Sequence, residues 1–484
     1  MKNRKQTAGR LRRRLPKAAN LIAFAWPDGK RASGAQRGAA SLSLKATSAS
    51  LGCPVVFAFS CDILQFQIEF FIMQDMKRAC TQLMQDYLKA FPCVVLLGVR
   101  QCGKTTLLHT LPQEWRHFDL ERRADYDIIS RDPDAFLRLH PAQTALDEAQ
   151  ILPELFPALR VAIDDHRSEK GRFAITGSSS PALVRSISES LAGRVGIIEM
   201  APFSWEEVTG TTGRDSFLRR LQDCKAAPQD LINGLEHRGD IGLAHDYWFR
   251  GGFPEPWLNP DAQFRSIWIE QYIQSYLYRD VKRLFPGLDD VRFRRFLEML
   301  GGLSGRVINY AEVARALGVS QPTARDYFDI AHGTFVWRTV PAYTKDSLKR
   351  VVKHPRGYLR DTGLLHALLR LPDRDAALSH PQMGASWESM VVEEILRQLN
   401  AMGVFHNYSY YRTGGGAEVD LVLEGPFGLV AVEIKHTSTV SARDLRGLRD
   451  FVSSHRARLG VVINNDTAPR LYDENIIGFP FTQL

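Results

Sequence analysis

The chain has 484 residues, 44% of them hydrophobic and 24% charged, which excludes a disordered or fibrous protein and is too long for one compact domain. Its net charge of +8 is confined to the first 72 residues, where 12 Lys and Arg stand against three acids. The remaining residues carry 50 basic and 51 acidic side chains, which excludes a folded body that binds nucleic acid through its overall charge.

Residues 1–75 form a basic segment, and we predict a disordered tail, or translated sequence upstream of a native start at Met73 or Met76. The apolar stretch over residues 51–73 is interrupted by two acids, so no membrane span is expected. The six cysteines form no CxxC pair and no zinc spacing, which favours a reduced, cytoplasmic location.

A phosphate-binding loop follows the first predicted strand. Residues 93–97 are a continuous apolar run, typical of a buried parallel strand, and a helix is predicted from Thr106. The residues between them fit GxxxxGK(S/T), the P-loop pattern. The helix N-terminus and Lys104 are expected on ATP phosphates, and the Thr105 hydroxyl on Mg²⁺. Nucleotide contacts are predicted from Gly98, Arg100, Gly103, Lys104, Thr105 and Thr106.

A second predicted strand, Thr144–Leu146, ends in the acid pair Asp147 and Glu148. In a parallel sheet such a strand end lies beside the phosphate loop. Asp147 is therefore expected to hold Mg²⁺ through water, and Glu148 to polarise the attacking water. The alternative is an acid pair placed at a helix N-terminus, where the helix dipole favours negative charge.

Two further catalytic candidates follow. The strand at residues 172–176 ends in a polar tip, from which Ser178 is expected to orient water against the γ-phosphate; the alternative is a serine that caps the next helix. Arg194 precedes the strand Val195–Met200 and is a candidate arginine finger, in its own chain or towards a neighbour, or else a solvated charge. Strands that alternate with helices predict a parallel α/β sheet.

Residues 203–287 are predicted to be mostly helical, and residues 288–356 to form a winged helix. In the second part, two short helices are separated by Gly318 and Val319, which is typical of a helix-turn-helix. DNA contact is expected over residues 310–356, from the start of the second helix and from a basic run: Gln321, Thr323, Arg325, Lys345, Lys349, Arg350, Lys353 and Arg356. The alternative is a winged-helix unit that serves as a spacer.

Three strands joined by glycine turns are predicted near the C-terminus, at residues 408–413, 418–424 and 429–435. A symmetric second hairpin places Asp420 opposite Glu433, and Glu418 opposite Lys435, on one face. The alternate apolar residues, Val419 among them, are then expected on the core face. Two opposed carboxylates repel, and a divalent cation removes the repulsion, so a Mg²⁺ site is predicted. The alternative is a solvated hairpin with exposed ion pairs.

The chain resembles prokaryotic AAA-type ATPases fused to a C-terminal nuclease-like domain of unknown function. The stretches that carry the resemblance are Gly98–Leu108, Leu146–Gln150, Ile175–Ser179, Leu191–Arg194, Gly251–Glu255, Tyr276–Val281, Tyr358–Leu365 and Glu418–Lys435. The resemblance implies a PD-(D/E)XK-like C-terminal fold, in which Asp420, Glu433 and Lys435 match the signature. A helix often supplies a fourth carboxylate in that fold, and Glu388 is the candidate here.

The predicted fold is α/β in three parts: a parallel-sheet P-loop NTPase core over residues 76–202, a helical and winged-helix middle, and a restriction-endonuclease-like α/β domain over residues 357–484. The expected function is ATP hydrolysis coupled to action on DNA, with ATP and Mg²⁺ as cofactors. The alternative is a nucleotide-controlled switch that binds a protein partner and has no nuclease activity. A homo-oligomer is left open, and no membrane partner is expected.

Overall fold

The computed structural model of the chain describes the following residues, apart from the side chains of Ser178 and Asp280: 76–178, 187, 189–281, 285, 287–344 and 354–484. The predicted tail over residues 1–75 and the basic run from Lys345 to Lys353 lie outside them. No helix in the described part of the chain is long and apolar enough to cross a membrane.

The first part is a five-stranded sheet built from β1 (Cys93–Gly98), β2 (Arg116–Asp119), β3 (Thr144–Asp147), β4 (Phe173–Ser178) and β5 (Val195–Met200). All its pairings are parallel, in the order β2-β3-β4-β1-β5. The central strand β1 is buried along its whole length, because Val94 and Leu96 enter one hydrophobic core while Val95 and Leu97 enter another. This two-sided burial explains the continuous apolar run. The sequence analysis missed the edge strand β2, whose side chains are polar and partly exposed.

Helices cover this sheet: α1 (Thr81–Ala90), α2 (Lys104–Leu108), α3 (Arg123–Arg131), α4 (Pro133–Leu139) and α5 (Leu155–Asp165). The helix after the P-loop starts at Lys104, two residues before its predicted start at Thr106. Local chemistry explains where α4 begins, since the Asp132 side chain accepts from the Ala135 N–H and Pro133 occupies the first turn.

The next part is helical, as predicted: α6 (Trp205–Val208), α7 (Phe217–Leu221), α8 (Pro228–Ile232), α9 (Ile241–Arg250), α10 (Pro254–Leu258), α11 (Ala262–Tyr272) and a π-helix (Ile273–Asp280). Its aromatic residues do not form a separate core. Trp205 and Trp248 pack in one hydrophobic cluster with Trp387 and Phe479 of the C-terminal part. The helical segment is therefore fixed to the C-terminal domain by shared burial of apolar surface.

The middle contains α12 (Asp290–Leu303), β6 (Arg306–Val307), α13 (Tyr310–Leu317), α14 (Gln321–Gly333), β7 (Trp337–Val340) and β8 (Arg356–Leu359). Gly318 ends α13 in the left-handed conformation, and the Ser320 hydroxyl caps α14. The three strands form an antiparallel sheet in the order β6-β8-β7. The predicted domain boundary between residues 356 and 357 is wrong, because it cuts β8, whose partners both belong to the middle.

The C-terminal part contains α15 (Thr362–Leu368), α16 (Arg374–Leu378), α17 (Met383–Ala401), β9 (Asn407–Arg412), β10 (Glu418–Gly425), β11 (Gly428–Ile434), α18 (Arg446–His455), β12 (Leu459–Asn464), β13 (Arg470–Asp473) and β14 (Ile476–Pro480). Its strands form one mixed sheet in the order β13-β14-β12-β11-β10-β9. The sheet buries one face on α17 and the other on α18.

The predicted register of the hairpin between β10 and β11 is confirmed from the Leu421–Val432 pair to the turn. Strict alternation along β10 is wrong at Val419. A register shift separates Val419 from Val422 in the pairing with β9, and both of these valines pack beside Phe451, whereas Leu421 packs on the α17 side. The bulge adds a residue to β10 and so reverses the side on which Val419 lies.

Gly357→Ala is predicted to destabilise the middle sheet. A Cβ at Gly357 would overlap the indole of Trp337, which is 0% exposed and has no room to move. We expect a loss of about 1–3 kcal/mol, measured as a lower midpoint of thermal unfolding. Gly384→Ala is the matched control, because nothing lies within 4 Å of its added Cβ in α17. Equal losses in both variants would contradict the packing described for β8.

Candidate functional site

The P-loop joins β1 to α2 through two left-handed residues. Gln101 has a φ of 62° and Gly103 a φ of 96°, and the non-glycine Gln101 is an uncommon occupant of that region. Gly98 is required for a different reason, since a Cβ there would overlap the carbonyl oxygen of Met200 on β5. The tight turn is typical of a loop whose backbone approaches a phosphate closely.

The Lys104 side chain lies inside this loop. It is only 4% exposed, and its Nζ donates to the carbonyl oxygens of Gly98 at 3.1 Å and Val99 at 3.0 Å. Thr105 is exposed in the first turn of α2, and Thr106 is half-buried beside it. An ammonium group, an accessible hydroxyl and a helix N-terminus fit a phosphate group with its Mg²⁺.

Asp147 and Glu148 lie at the carboxyl end of β3, at the same edge of the sheet as the P-loop. The Asp147 carboxylate is 6% exposed; it accepts from the Glu148 N–H at 3.1 Å and from the Thr176 hydroxyl. Glu148 is left-handed, with a φ of 51°, and its carboxylate accepts from the Gln150 amide. A non-glycine residue in this conformation is strained, and such strain is concentrated at functional sites.

The structure adds Thr176 to the site, where Ser178 was predicted. Thr176 lies on β4, the strand between β1 and β3, and its hydroxyl contacts Asp147 and accepts from the Glu148 N–H at 3.1 Å. The backbone of Ser178 pairs with Gly98, while its side chain is outside the described residues. The sequence did contain a signal for Thr176, because its hydroxyl lies near the carboxyl end of the strand next to the acid pair.

Acidic charge extends from this edge to Glu121. Burial and the neighbouring Glu148 raise the pKa of Glu121 above its usual value, although Arg100 opposes the shift. The Arg100 Nη2 lies 3.6 Å from the Glu121 carboxylate. Arg100, predicted to contact nucleotide, is therefore held by an acid beside the P-loop.

Arg78 is a second residue that the sequence analysis missed. It is 8% exposed; its Nη1 donates to the Cys102 carbonyl at 2.6 Å, and its Nη2 to the Ala201 carbonyl at 2.7 Å. Its Nε donates to Glu207 at 2.9 Å. Arg78 thus ties the P-loop to the chain that follows β5. An isolated arginine before a helix carries no sequence pattern that predicts this role.

The prediction that Arg194 reaches its own phosphate site is wrong. β5 starts beside Cys93 and ends beside Gly98, so Arg194 lies at the opposite edge of the sheet from the P-loop. Six strand residues separate the two edges by roughly 20 Å. Arg194 forms a two-pronged ion pair with Asp164 at the protein surface, with both contacts at 2.7 Å.

The predicted carboxylates of the C-terminal domain come together between α17 and the sheet. Asp420 accepts from the Ile434 N–H at 2.9 Å, and Lys435 donates to Glu433 at 2.6 Å. Burial and then Asp420 raise the pKa of Glu388 to about 7 and that of Glu433 to about 8. Negative charge is therefore crowded in a site shielded from water.

The prediction that Arg356 contacts DNA is wrong, because this arginine is 4% exposed and occupies the carboxylate cluster. Arg356 of β8 donates to Glu388 at 2.8 Å, lies 3.3 Å from Asp420 and pairs with Glu418. The expected pairing of Glu418 with Lys435 is thus replaced by a pairing with Arg356. Across the described ranges, no three Asp, Glu, His or Cys residues are arranged to hold a metal ion. In this arrangement the cluster does not fit Mg²⁺, because a guanidinium stands among its oxygens.

A separate buried ion network joins the three parts of the chain. Glu199 on β5 accepts from Arg360 at 2.5 Å and lies 3.4 Å from Arg338 on β7. Both arginines also contact Glu393 on α17, Arg360 at 3.1 Å. Burial alone would raise the pKa of Glu393, but Arg338 and Arg360 lower it to about 2. Glu199 belongs to the first sheet, Arg338 and Arg360 lie in β7 and directly after β8, and Glu393 belongs to the C-terminal part.

Comparison with known proteins identifies the first part. A family model described as an AAA domain matches residues 90–209. Two uncharacterized proteins, from Mycobacterium tuberculosis and Mycobacterium bovis, are each 34% identical over 399 residues, which is 81% of this chain and 81% of each relative. The chain belongs to their family. Its first part is an AAA-type P-loop ATPase domain, as expected.

Two models of domains of unknown function match the rest of the chain, DUF8612 over residues 242–375 and DUF4143 over residues 383–484. Among solved structures, a Walker-type ATPase of Pyrococcus abyssi is 16% identical, with a TM-score of 0.38, and covers 60% of this chain and 94% of its own. RuvB of Thermotoga maritima is 18% identical, with a TM-score of 0.27, over 56% of this chain and 93% of its own.

The ion network that joins the AAA domain to the rest gives a pH-dependent prediction. The pKa of Glu393 is about 2 in the folded protein, below its ordinary value of 4.5. The ionised carboxylate therefore stabilises the fold above about pH 5, and this contribution is lost as the pH falls towards 2. Glu393→Gln should therefore cost about 3 kcal/mol at pH 7 and progressively less below pH 5.

The measurement is the unfolding free energy of both proteins in urea between pH 7 and pH 3. Glu312→Gln is the control, because Glu312 is exposed on α13. If the difference in unfolding free energy between wild type and Glu393→Gln stays constant with pH, the lowered pKa assigned to Glu393 is contradicted.

Proposed function

We propose that the chain binds MgATP at its P-loop and hydrolyses the γ-phosphate. The observation that carries the proposal is the arrangement at one edge of the sheet, where Asp147, Glu148 and Thr176 stand beside the loop that holds Lys104. The family of the AAA domain supports ATP binding and hydrolysis.

Each residue then has a role fixed by its position. Lys104 exchanges its bonds to the Gly98 and Val99 carbonyls for phosphate oxygens, which costs little because one set of acceptors replaces another. Thr105 and Asp147 hold Mg²⁺, which offsets phosphate charge when bound. Glu148 accepts the proton of the attacking water. Thr176 positions Asp147 and the Glu148 backbone.

A small pocket lies beside Gly103 and Thr106. Its other walls come from residues that include Arg78, Phe203 and Pro254. We infer that Arg78 positions this pocket, since it binds the P-loop and packs over the Phe203 ring at 5.0 Å.

ATP hydrolysis by the full chain tests the proposal. Lys104→Ala should lose both nucleotide binding and turnover, and Glu148→Gln should keep binding while turnover falls about 100-fold or more. Thr176→Val, which removes one hydroxyl, should lower kcat with less effect on KM. Thr144→Val is the matched control, because Thr144 lies at the other end of β3 from Asp147 and its hydroxyl bonds the His140 and Ala142 carbonyls. Turnover that survives Lys104→Ala would refute the assignment.

We propose that Arg194, which does not reach its own site, acts on the nucleotide of a neighbouring copy. Its exposed position with Asp164 at the far edge of the sheet is what such a role needs. Wild-type turnover per subunit should then rise with protein concentration. Turnover that is independent of concentration, or unaffected by Arg194→Ala, would exclude this role.

We propose that the nucleotide state is passed to the other domains through Glu199. Met200, the next residue on β5, pairs with Gly98 of the P-loop, while the Glu199 side chain binds Arg338 and Arg360. A shift of the loop would therefore act on the middle and on α17 through one ion network. This coupling supports either output, action on DNA or a switch that binds a protein partner.

Action on DNA is the second candidate function, and metal-dependent cleavage at Glu388, Asp420, Glu433 and Lys435 would require Arg356 to leave the cluster. One observation favours it: Glu433 is 7% exposed, and its Oε2 has no hydrogen-bond partner among the described residues. The exposed surface of α14 is less favourable to contact with DNA phosphates than the sequence predicted, because it carries acidic side chains. Asp326 and Asp329 are exposed on α14 along with Gln321 and Arg325.

DNA-dependent turnover separates these outputs. If DNA is the effector, it should raise the ATPase rate of wild type, and Glu199→Gln should keep the basal rate but lose the stimulation. Mg²⁺-dependent cleavage should disappear in Asp420→Asn while ATP hydrolysis persists. A rate indifferent to DNA, with no cleavage by wild type, would leave the protein-partner switch as the better proposal.

A further inference from the structure

Arg356 stands where the carboxylate cluster would hold a metal. It is 4% exposed at the start of β8, and its guanidinium reaches three acids from two elements of the C-terminal domain: Glu388 on α17, and Glu418 and Asp420 on β10. The guanidinium also lies over the Tyr410 ring at 5.1 Å. A buried carboxylate needs a compensating cation, and here the protein supplies one from its middle domain.

The compensation is incomplete. The cluster contains four carboxyl groups, of Glu388, Glu418, Asp420 and Glu433, against three cations: Arg356, Lys435 and, at 3.8 Å from Glu418, Arg412. Lys435 takes only one oxygen of Glu433, and the other is buried without a partner among the described residues. The cluster therefore keeps a buried carboxyl oxygen without a partner among the described residues, which a divalent cation with oxygen ligands would contact.

We propose that Arg356 is the resident cation of this cluster and that it excludes a divalent cation until its side chain swings out. The backbone of Arg356 is fixed by pairing with Val307 and Val340, so the exchange requires a change of side-chain rotamer and no loss of the strand. The inference shares one assumption with the second candidate function, namely which carboxylates would bind the metal.

The position of Arg356 also links the cluster to the nucleotide site. Four residues further along the chain, Arg360 binds Glu199 of the AAA domain at 2.5 Å. A displacement of β5 that pulls on Arg360 would act on the strand that carries Arg356. Whether a metal ion or Arg356 occupies the cluster would then depend on the position of β5 in the AAA domain. Arg356, which belongs to the middle part, would thus regulate metal binding in the C-terminal part.

The test is calorimetric titration of the nucleotide-free full chain with Mn²⁺, which takes the same oxygen ligands as Mg²⁺. Arg356→Met keeps the length of the side chain and removes its charge. This variant should bind Mn²⁺ at least about tenfold more tightly than wild type, because the buried Asp420 and its neighbours Glu388 and Glu418 lose their cation. Asp420→Asn added to Arg356→Met should remove the gain, which assigns it to this cluster.

Thermal unfolding gives a second readout. Without metal, Arg356→Met should unfold at a lower temperature than wild type, and Mn²⁺ should restore the midpoint of the variant while leaving wild type unchanged. A variant that folds only with Mn²⁺, followed by circular dichroism, supports the proposal equally. Arg449→Met is the matched control, because Arg449 pairs with Asp473 on the surface of the same domain and should gain no affinity.

Unchanged Mn²⁺ affinity in Arg356→Met would overturn the proposal. Tight binding by wild type that Asp420→Asn abolishes would also overturn it, while leaving the metal site itself intact. Mg²⁺-dependent DNA cleavage lost in Asp420→Asn, combined with unchanged affinity in Arg356→Met, would keep the candidate nuclease and reject the role of Arg356. The two ideas therefore fail through different observations.

Discussion

The buried pairing of Glu199 and Glu393 with Arg338 and Arg360 is the constraint on which the arrangement of the chain depends. Glu393 and both guanidinium groups are buried and Glu199 is half-buried, which is tolerable only while all four stay together. Because they come from the AAA sheet, the middle and α17, none of these parts can move away without exposing or isolating a buried charge. The network fixes the three parts as one unit more specifically than apolar contact, which is non-directional.

Burial works differently at the two candidate sites. In the P-loop, Lys104 is buried but its partners are neutral carbonyls, so its charge is available to an incoming phosphate. In the C-terminal cluster, Arg356 is buried against the carboxyl groups of Glu388 and Asp420, so its hydrogen bonds and charge are already engaged. The first site is arranged for an anionic ligand. The second needs a rearrangement before it accepts a cation, and this difference is why nucleotide hydrolysis is the better supported activity.

Much of the fold could be predicted from local patterns. The apolar run of β1, the GxxxxGK(S/T) loop and the acid pair after β3 each appear in consecutive residues, and the register of the β10–β11 hairpin follows from a symmetric turn. The bulge at Val419 could not be predicted in the same way, because it depends on how β9 pairs with β10. The edge strand β2 gave no signal, since a polar strand at an edge lacks the apolar alternation by which strands are recognised.

The sequence by itself determined the nature of the first site, because a P-loop needs a glycine-rich turn and a lysine within eight consecutive residues, and its helix and strand are local. Tertiary structure decided which distant residues complete or occupy each site. Thr176 joins Asp147 across adjacent parallel strands, Arg78 ties the P-loop to the end of β5, and Arg194 falls at the wrong edge for its own nucleotide. Arg356 enters a carboxylate cluster of another domain. Such contacts depend on the order of strands and the packing of domains, which no spacing along the chain encodes.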